Sequence, residues 1–154
     1  MLDIVQRNLS AFAQSRWEDF KATLAPDALY EEIATGQRAK GADEYVKSVQ
    51  LWKRPFPDLH ANWISGFAIG DKVVVEVEWE GTHTDRFDGP FGPMMATNKR
   101  GRVKAVLVCT LKNGKILEMH HYFDLLTLLN QIGLAPSASA SAPVAANPAS
   151  MPRW

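Results

Sequence analysis

The chain has 154 residues, 46% of them hydrophobic and 22% charged, and its 17 basic and 17 acidic side chains cancel. That length suits one domain with a buried core, and the absence of net charge leaves no field to attract nucleic acid or an anionic membrane. The single cysteine, Cys109, excludes an internal disulfide and a thiolate metal cluster. No apolar run approaches the roughly 20 residues that span a bilayer. The opening "MLDIVQRNLSAFAQSR" mixes acid and base, unlike a signal or transit peptide, so a cytoplasmic protein is the expectation.

Helices are predicted first along the chain. Leu2, Val5, Leu9 and Phe12 recur at three- and four-residue spacing and give a first helix one apolar face. "SRWEDFKATLA" predicts a short second helix, with Ser15 and Glu18 spaced as a capping box and Pro26 beyond its end. "ALYEEIATG" reads as a short strand. "GADEYVKSVQLWKRPF" predicts a third helix with Tyr45, Val49 and Trp52 on one side, halted by Pro55 and Pro57.

Strands dominate the second half: "DLHANWISGFAI", "KVVVEVEWEGTHTDRF", "RVKAVLVCTLK" and "KILEMHHYFD". Gly70 and the Asn113-Gly114 pair tolerate the positive φ that tight hairpins require. Helices followed by consecutive hairpin strands predict an α+β fold, a curved antiparallel sheet packed on the N-terminal helices. A pocket between the two layers is then the default functional site. The folded domain is expected over residues 1–134. Residues 135–154 are almost entirely Ala, Ser and Pro and read as a flexible tail, since they bury too little to offset their own ordering.

Period-two alternation sorts the candidate residues. Val75, Val77, Trp79, Gly81, His83 and Asp85 share one face of the long strand, apolar at its start and polar at its end. On the last strand Glu118, His120, Tyr122 and Asp124 share one face, and Leu117, Met119, His121 and Phe123 the other. The apolar set would ordinarily be the core, which turns Asp124 outward. Two arrangements turn it inward instead: the apolar set packs on a second subunit, or a bulge near Phe123 reverses the alternation. Adjacent His120 and His121 point to opposite faces and cannot chelate one ion, and neither an HxH pair nor HExxH occurs, so no metal is expected. A GxSxG elbow, a phosphate loop and a dinucleotide fingerprint are likewise missing from the sequence. Cys109, among Val106, Leu107, Val108 and Leu111, reads as a packed, inert thiol.

"PFPDLHANW", "GTHTDRF" and "ILEMHHYFDLLTLLNQIG", in this order, resemble the SnoaL-like polyketide cyclases, or ester cyclases, of the nuclear transport factor 2-like superfamily. The resemblance covers roughly residues 2–134. It implies a cone-shaped α+β barrel around a pocket, a homodimer or homotetramer, no cofactor, and a small planar or polyketide-like substrate. It also implies intramolecular aldol-type ring closure with one aspartate as general acid/base. That aspartate matches Asp124, the histidine of the GTHT run matches His83, and the match favours a cavity-facing Asp124. Two features depart from the family's pattern. "DGPFGPMMATNKRG" stands where a "PPTGK"-like loop is usual, and His120 stands where a tryptophan is common.

These residues predict a mechanism in which Asp124, its pKa raised by apolar surroundings, removes and returns a proton beside a carbonyl. His83 and His120 would polarise the substrate oxygen. Trp63, Trp79, Tyr45, Trp52, Tyr30 and Tyr122 are candidate walls, equally readable as core packing. Met94 and Met95 are a candidate lid. A hydrolase or dehydratase, or a non-catalytic binding module of the same fold, are the alternative readings.

Overall fold

The computed structural model describes residues 1–89 and 91–135; the expected tail lies, apart from residue 135, outside them. Elements in chain order are α1 (Leu2–Ala13), α2 (Trp17–Ala22), β1 (Leu24–Glu32), β2 (Gln37–Lys40), α3 (Ala42–Lys53), β3 (His60–Ile69), β4 (Lys72–Thr82), β5 (Phe87–Gly89), β6 (Gly92–Met94), β7 (Arg100–Lys112), β8 (Lys115–Phe123) and α4 (Leu125–Gln131). The α+β prediction agrees with this order.

In α1 the residues Val5, Leu9 and Phe12 form the buried stripe that their spacing predicts, joined by Ile4 and Ala11. The capping prediction for α2 is corrected. Ser15 has φ 54° and turns the chain before the helix, so Arg16 occupies the cap position and no side chain caps it. Gly41, at φ 91°, makes the corner from β2 into α3, a conformation that a side chain at Cβ would oppose. Tyr45 and Val49 then turn inward, and α3 ends at Lys53, two residues ahead of Pro55.

Six strands form the main sheet in the order β2-β1-β8-β7-β4-β3, and β5 and β6 form a separate two-stranded flap. Every pairing in the main sheet is antiparallel except β1 with β8, which is parallel. Register shifts at Trp63/Ser65 and Thr110/Leu111 interrupt the ladders, and such bulges bend a sheet toward the layer it covers. Helix α1 packs on the edge strand β3, and α3 packs on β1 and β2 toward the other edge. Between them lies a core that includes Val73, Val75 and Val77 of β4, Leu107 and Cys109 of β7, and Met119 of β8. Each fully buried aliphatic side chain contributes about 1.5–3 kcal/mol. A second cluster, built on Phe56, Phe87, Val103 and residues of α4, closes one end. There α4 lies close over β7: a Cβ on Gly101 would come within 2.5 Å of Leu128.

The direction of β8 follows ordinary alternation. Met119 and His121 are buried, while Tyr122 is 43% exposed. The apolar set therefore packs on this chain's own helices, with no bulge near Phe123. Leu117, Met119 and Phe123, which the first of the two arrangements packs on a second subunit, pack on the core of this chain and so lend no support to a homodimer or homotetramer.

Candidate active site

A cavity of about 70 Å³ lies between the sheet and the helices, narrower than the several hundred Å³ typical of sites for drug-sized ligands. Its walls are largely aromatic and aliphatic, with Leu9, Phe12 and Phe20 from the first helices, Val49, Trp52 and Phe56 from α3 and beyond, and Leu107, Met119 and Phe123 from the sheet. Phe12 meets Trp79 edge-on at 5.4 Å between ring centroids, and Tyr30 stacks on Tyr45 at 4.6 Å.

Polar groups converge at one place in this wall. The parallel pairing of β1 with β8 sets Glu32 opposite His121. Tyr30, two residues before Glu32, therefore faces the same way. Its hydroxyl donates to Glu32 Oε2 at 2.7 Å and lies 3.1 Å from His121 Nδ1. The Trp52 indole donates to the same carboxylate oxygen at 2.9 Å, and the Thr35 hydroxyl donates to Oε1 at 2.6 Å. Trp79, from β4, donates its indole N–H to His121 Nε2 at 2.9 Å.

These partners fix the proton positions. Indole is only a donor, so His121 Nε2 accepts and the imidazole is neutral. Nδ1 carries the proton and gives it to the Tyr30 oxygen, whose own hydrogen goes to Glu32. Glu32 is wholly buried. Burial pushes its carboxyl up, but the nearby His121 ring, 3.7 Å away, and the hydroxyls of Thr35 and Tyr30 outweigh it and hold the pKa below the usual glutamate value. The result is a buried carboxylate linked through a phenol to an imidazole at the cavity wall. Burial, then the neighbouring Glu32 charge, keeps the Tyr30 phenol protonated well beyond its ordinary range.

The three residues expected to be catalytic do not meet. Asp124 lies outside the cavity, exposed, as the N-cap of α4: it accepts from Thr127 N–H at 3.0 Å and from the Thr127 hydroxyl at 2.6 Å. Those bonds lower its pKa, the reverse of the predicted rise, because burial here is slight and the donors are aimed at the carboxylate. His120 is on the outer face of the sheet, 3.3 Å from Glu118 and 3.9 Å from Glu31. His83 is fully buried beside Phe56, and its Nδ1 accepts from Thr97 N–H at 3.2 Å. Burial holds its pKa below the ordinary histidine value, against the opposing effect of Asp85. It braces the base of the flap and is not part of the cavity wall.

Of the expected wall residues, Trp79, Tyr45, Trp52 and Tyr30 line the cavity. Trp63 packs against the core on β3, Tyr122 faces outward, Met94 belongs to the flap itself and packs on the second cluster, and Met95 is 72% exposed. Glu32, Thr35 and Asn8 are cavity or network residues that the sequence reading missed. The spacing of Tyr30 and Glu32 on one strand face was the available signal. Cys109 is buried, and burial pushes its thiol up to about 12, in keeping with inert packing.

Residues 3–132 match the family model described as SnoaL-like polyketide cyclase. No curated protein sequence matches the chain significantly. Among solved structures, a proposed SnoaL-like polyketide cyclase from Jannaschia sp. CCS1 is 24% identical, covering 88% of this chain and 92% of that one, with a TM-score of 0.77. IdmH, a proposed polyketide cyclase from Streptomyces antibioticus, is 23% identical over 85% of this chain and 96% of its own, with a TM-score of 0.74. A protein of ketosteroid isomerase-like fold from Catenulispora acidiphila DSM 44928 is 18% identical over 85% of this chain and 92% of its own, with a TM-score of 0.71.

Proposed function

The chain belongs to the SnoaL-like polyketide cyclase family, and from that premise we propose that it transfers a proton beside a carbonyl of an apolar small molecule, with His121 as the base and Glu32 as its charge partner. Family membership supports a cyclase- or isomerase-type activity. The observation that carries the proposal is the His121–Tyr30–Glu32 chain in the wall of an aromatic cavity. The His121 imidazole lines the apolar cavity, within reach of a ligand there, whereas the Asp124 carboxylate is exposed and bonded to Thr127. Substrate displaces the Trp79 N–H from His121 Nε2, and the freed indole N–H donates to the carbonyl oxygen as it becomes an enolate. The α-carbon's proton moves to Nε2, and the buried carboxylate stabilises the imidazolium through Tyr30. In ring closure the enolate carbon bonds to a second carbonyl carbon, and the proton returns to that carbonyl's oxygen. In isomerisation it returns to another carbon.

The test is deuterium exchange into the acetyl group of 2-acetylnaphthalene in heavy water near neutral pH, followed by NMR. Wild type should accelerate exchange, and His121→Gln and Glu32→Gln should each lower the rate by about 100-fold or more. Asp124→Asn should retain the wild-type rate. Loss of exchange in Asp124→Asn with retention in His121→Gln would return the role to the aspartate. One observation favours a second reading, a binding module: the Trp79 N–H already occupies the basic nitrogen. In that case wild type binds the ketone without exchanging it.

A further inference from the structure

Asn8 is the one polar residue on the buried stripe of α1; the other buried residues there are Ile4, Val5, Leu9, Ala11 and Phe12. Asparagine is a modest helix former, so neither propensity nor the apolar face explains its place. It is 2% exposed and lines the cavity. Its amide is oriented by Thr23. The Thr23 hydroxyl has a single hydrogen and stands 2.6 Å from the Phe20 carbonyl, which can only accept, so the hydrogen goes there. Thr23 must then accept from Asn8, and it does, from Nδ2 at 2.8 Å. The amide oxygen is thereby turned the other way. Among the described residues Oδ1 has no hydrogen-bond partner, and Asn8 lines the cavity, which leaves this oxygen to meet a ligand there.

Position adds a second constraint. The Thr23 carbonyl accepts from Ile116 N–H at 2.9 Å, and Ile116 lies five residues before His121 on β8. At 3.3 Å per residue Ile116 and His121 are on the order of 16 Å apart along the strand, which sets the two polar spots toward opposite ends of the cavity. Between them the wall is apolar.

We infer that Asn8 determines specificity by accepting a hydrogen bond from a donor group, a hydroxyl foremost, at the end of the ligand remote from its reacting carbonyl. The inference rests on the reading that the cavity holds the substrate, but not on proton transfer by His121. A ligand without that donor leaves the amide oxygen desolvated and unpaired, which is the asymmetry that makes such sites selective.

The probes are 1-(6-hydroxynaphthalen-2-yl)ethanone, its 6-methoxy ether, and 2-acetylnaphthalene, titrated at pH 7 by quenching of tryptophan fluorescence. In the hydroxy ketone the two oxygens lie roughly 8–9 Å apart, and two hydrogen bonds of about 2.8 Å let them reach toward both ends of the cavity. Wild type should bind the hydroxy ketone about tenfold more tightly than either analogue. Asn8→Leu and Asn8→Ser should erase the preference over 2-acetylnaphthalene while keeping affinity for 2-acetylnaphthalene itself, and either variant that folds suffices. Equal wild-type affinities, equal favour for the ether, no binding of any probe, or a preference that survives in the variants would each overturn the assignment. A purely structural Asn8 would show the last pattern with lowered stability. Failure of deuterium exchange would end the proton-transfer reading and leave the hydroxyl preference standing.

Discussion

Asp124 carries the motif that the family resemblance marks out, and in the fold its side chain caps a helix. Its carboxylate is spent on Thr127, where both the backbone N–H and the hydroxyl meet it. Asp124→Ala should cost about 1 kcal/mol of stability by urea titration, the usual value of an N-cap, while asparagine should lose only a fraction of that. His121 shows the converse. Paired in sequence with His120, it looks like half of a doublet, but the two rings have nothing in common. His120 is among the acids Glu31 and Glu118 on the outer surface, and His121 is between Trp79 and Tyr30 inside.

At the scale of elements, β4 and β7 are tied on the outer face by charge. Glu80 receives Arg100 at 2.6 Å and Arg102 at 3.0 Å. Arg102 first, then Arg100, lower its pKa from 4.5 to about 2, against a smaller opposing effect of burial. A carboxyl whose folded value is depressed stabilises the fold above its unfolded pKa and loses that contribution as pH falls through the folded one. The Glu80 contribution should thus be complete above about pH 4.5 and fade toward pH 2. Thermal melts of Glu80→Gln across that window should show a flatter acid limb than wild type; parallel curves would mean the arginines add nothing. Strand β8 sets two chemistries back to back. Its inner residues build the cavity and its outer ones meet solvent, as a period of two demands.

At the scale of the molecule, the cavity exists because three helices cover one side of a bent sheet and their packing leaves space between aromatic rings. The inward turn of Met119 makes a prediction that separates core from interface. Met119→Lys should unfold or destabilise the protein by at least about 3 kcal/mol, because a charge would enter the core without a partner. Circular dichroism in urea, beside sedimentation, reads this directly. A folded variant with lower mass would restore the subunit-interface reading of that face. The electrostatic logic is also global. Glu32 is tolerable in the interior only because strand β1, helix α3 and the turn after β1 each bring a donor to it.

Much of the plan was legible in the sequence. Helical spacing in α1 and α3, hairpin glycines at Gly70 and Gly114, and the partition of β8 into two faces are local properties that depend on neighbours a few residues away. Alternation even grouped His121 with the inward-facing set. What local pattern could not decide was which set faced the helices, since either face of a strand is equally compatible with period two until a partner layer is known. Nor could it place Glu32 against His121. That contact joins residues far apart in the chain through a parallel pairing, the one pairing here that no hairpin announces. The chain by itself determined most of the helices and strands, the two faces of β8 and the family's fold, but β4 ends at Thr82 rather than running on through Phe87, and β2 and the flap were not foreseen. Only tertiary packing decided which histidine entered the cavity and that Asp124 would cap a helix, because both depend on donors and walls brought together from distant segments.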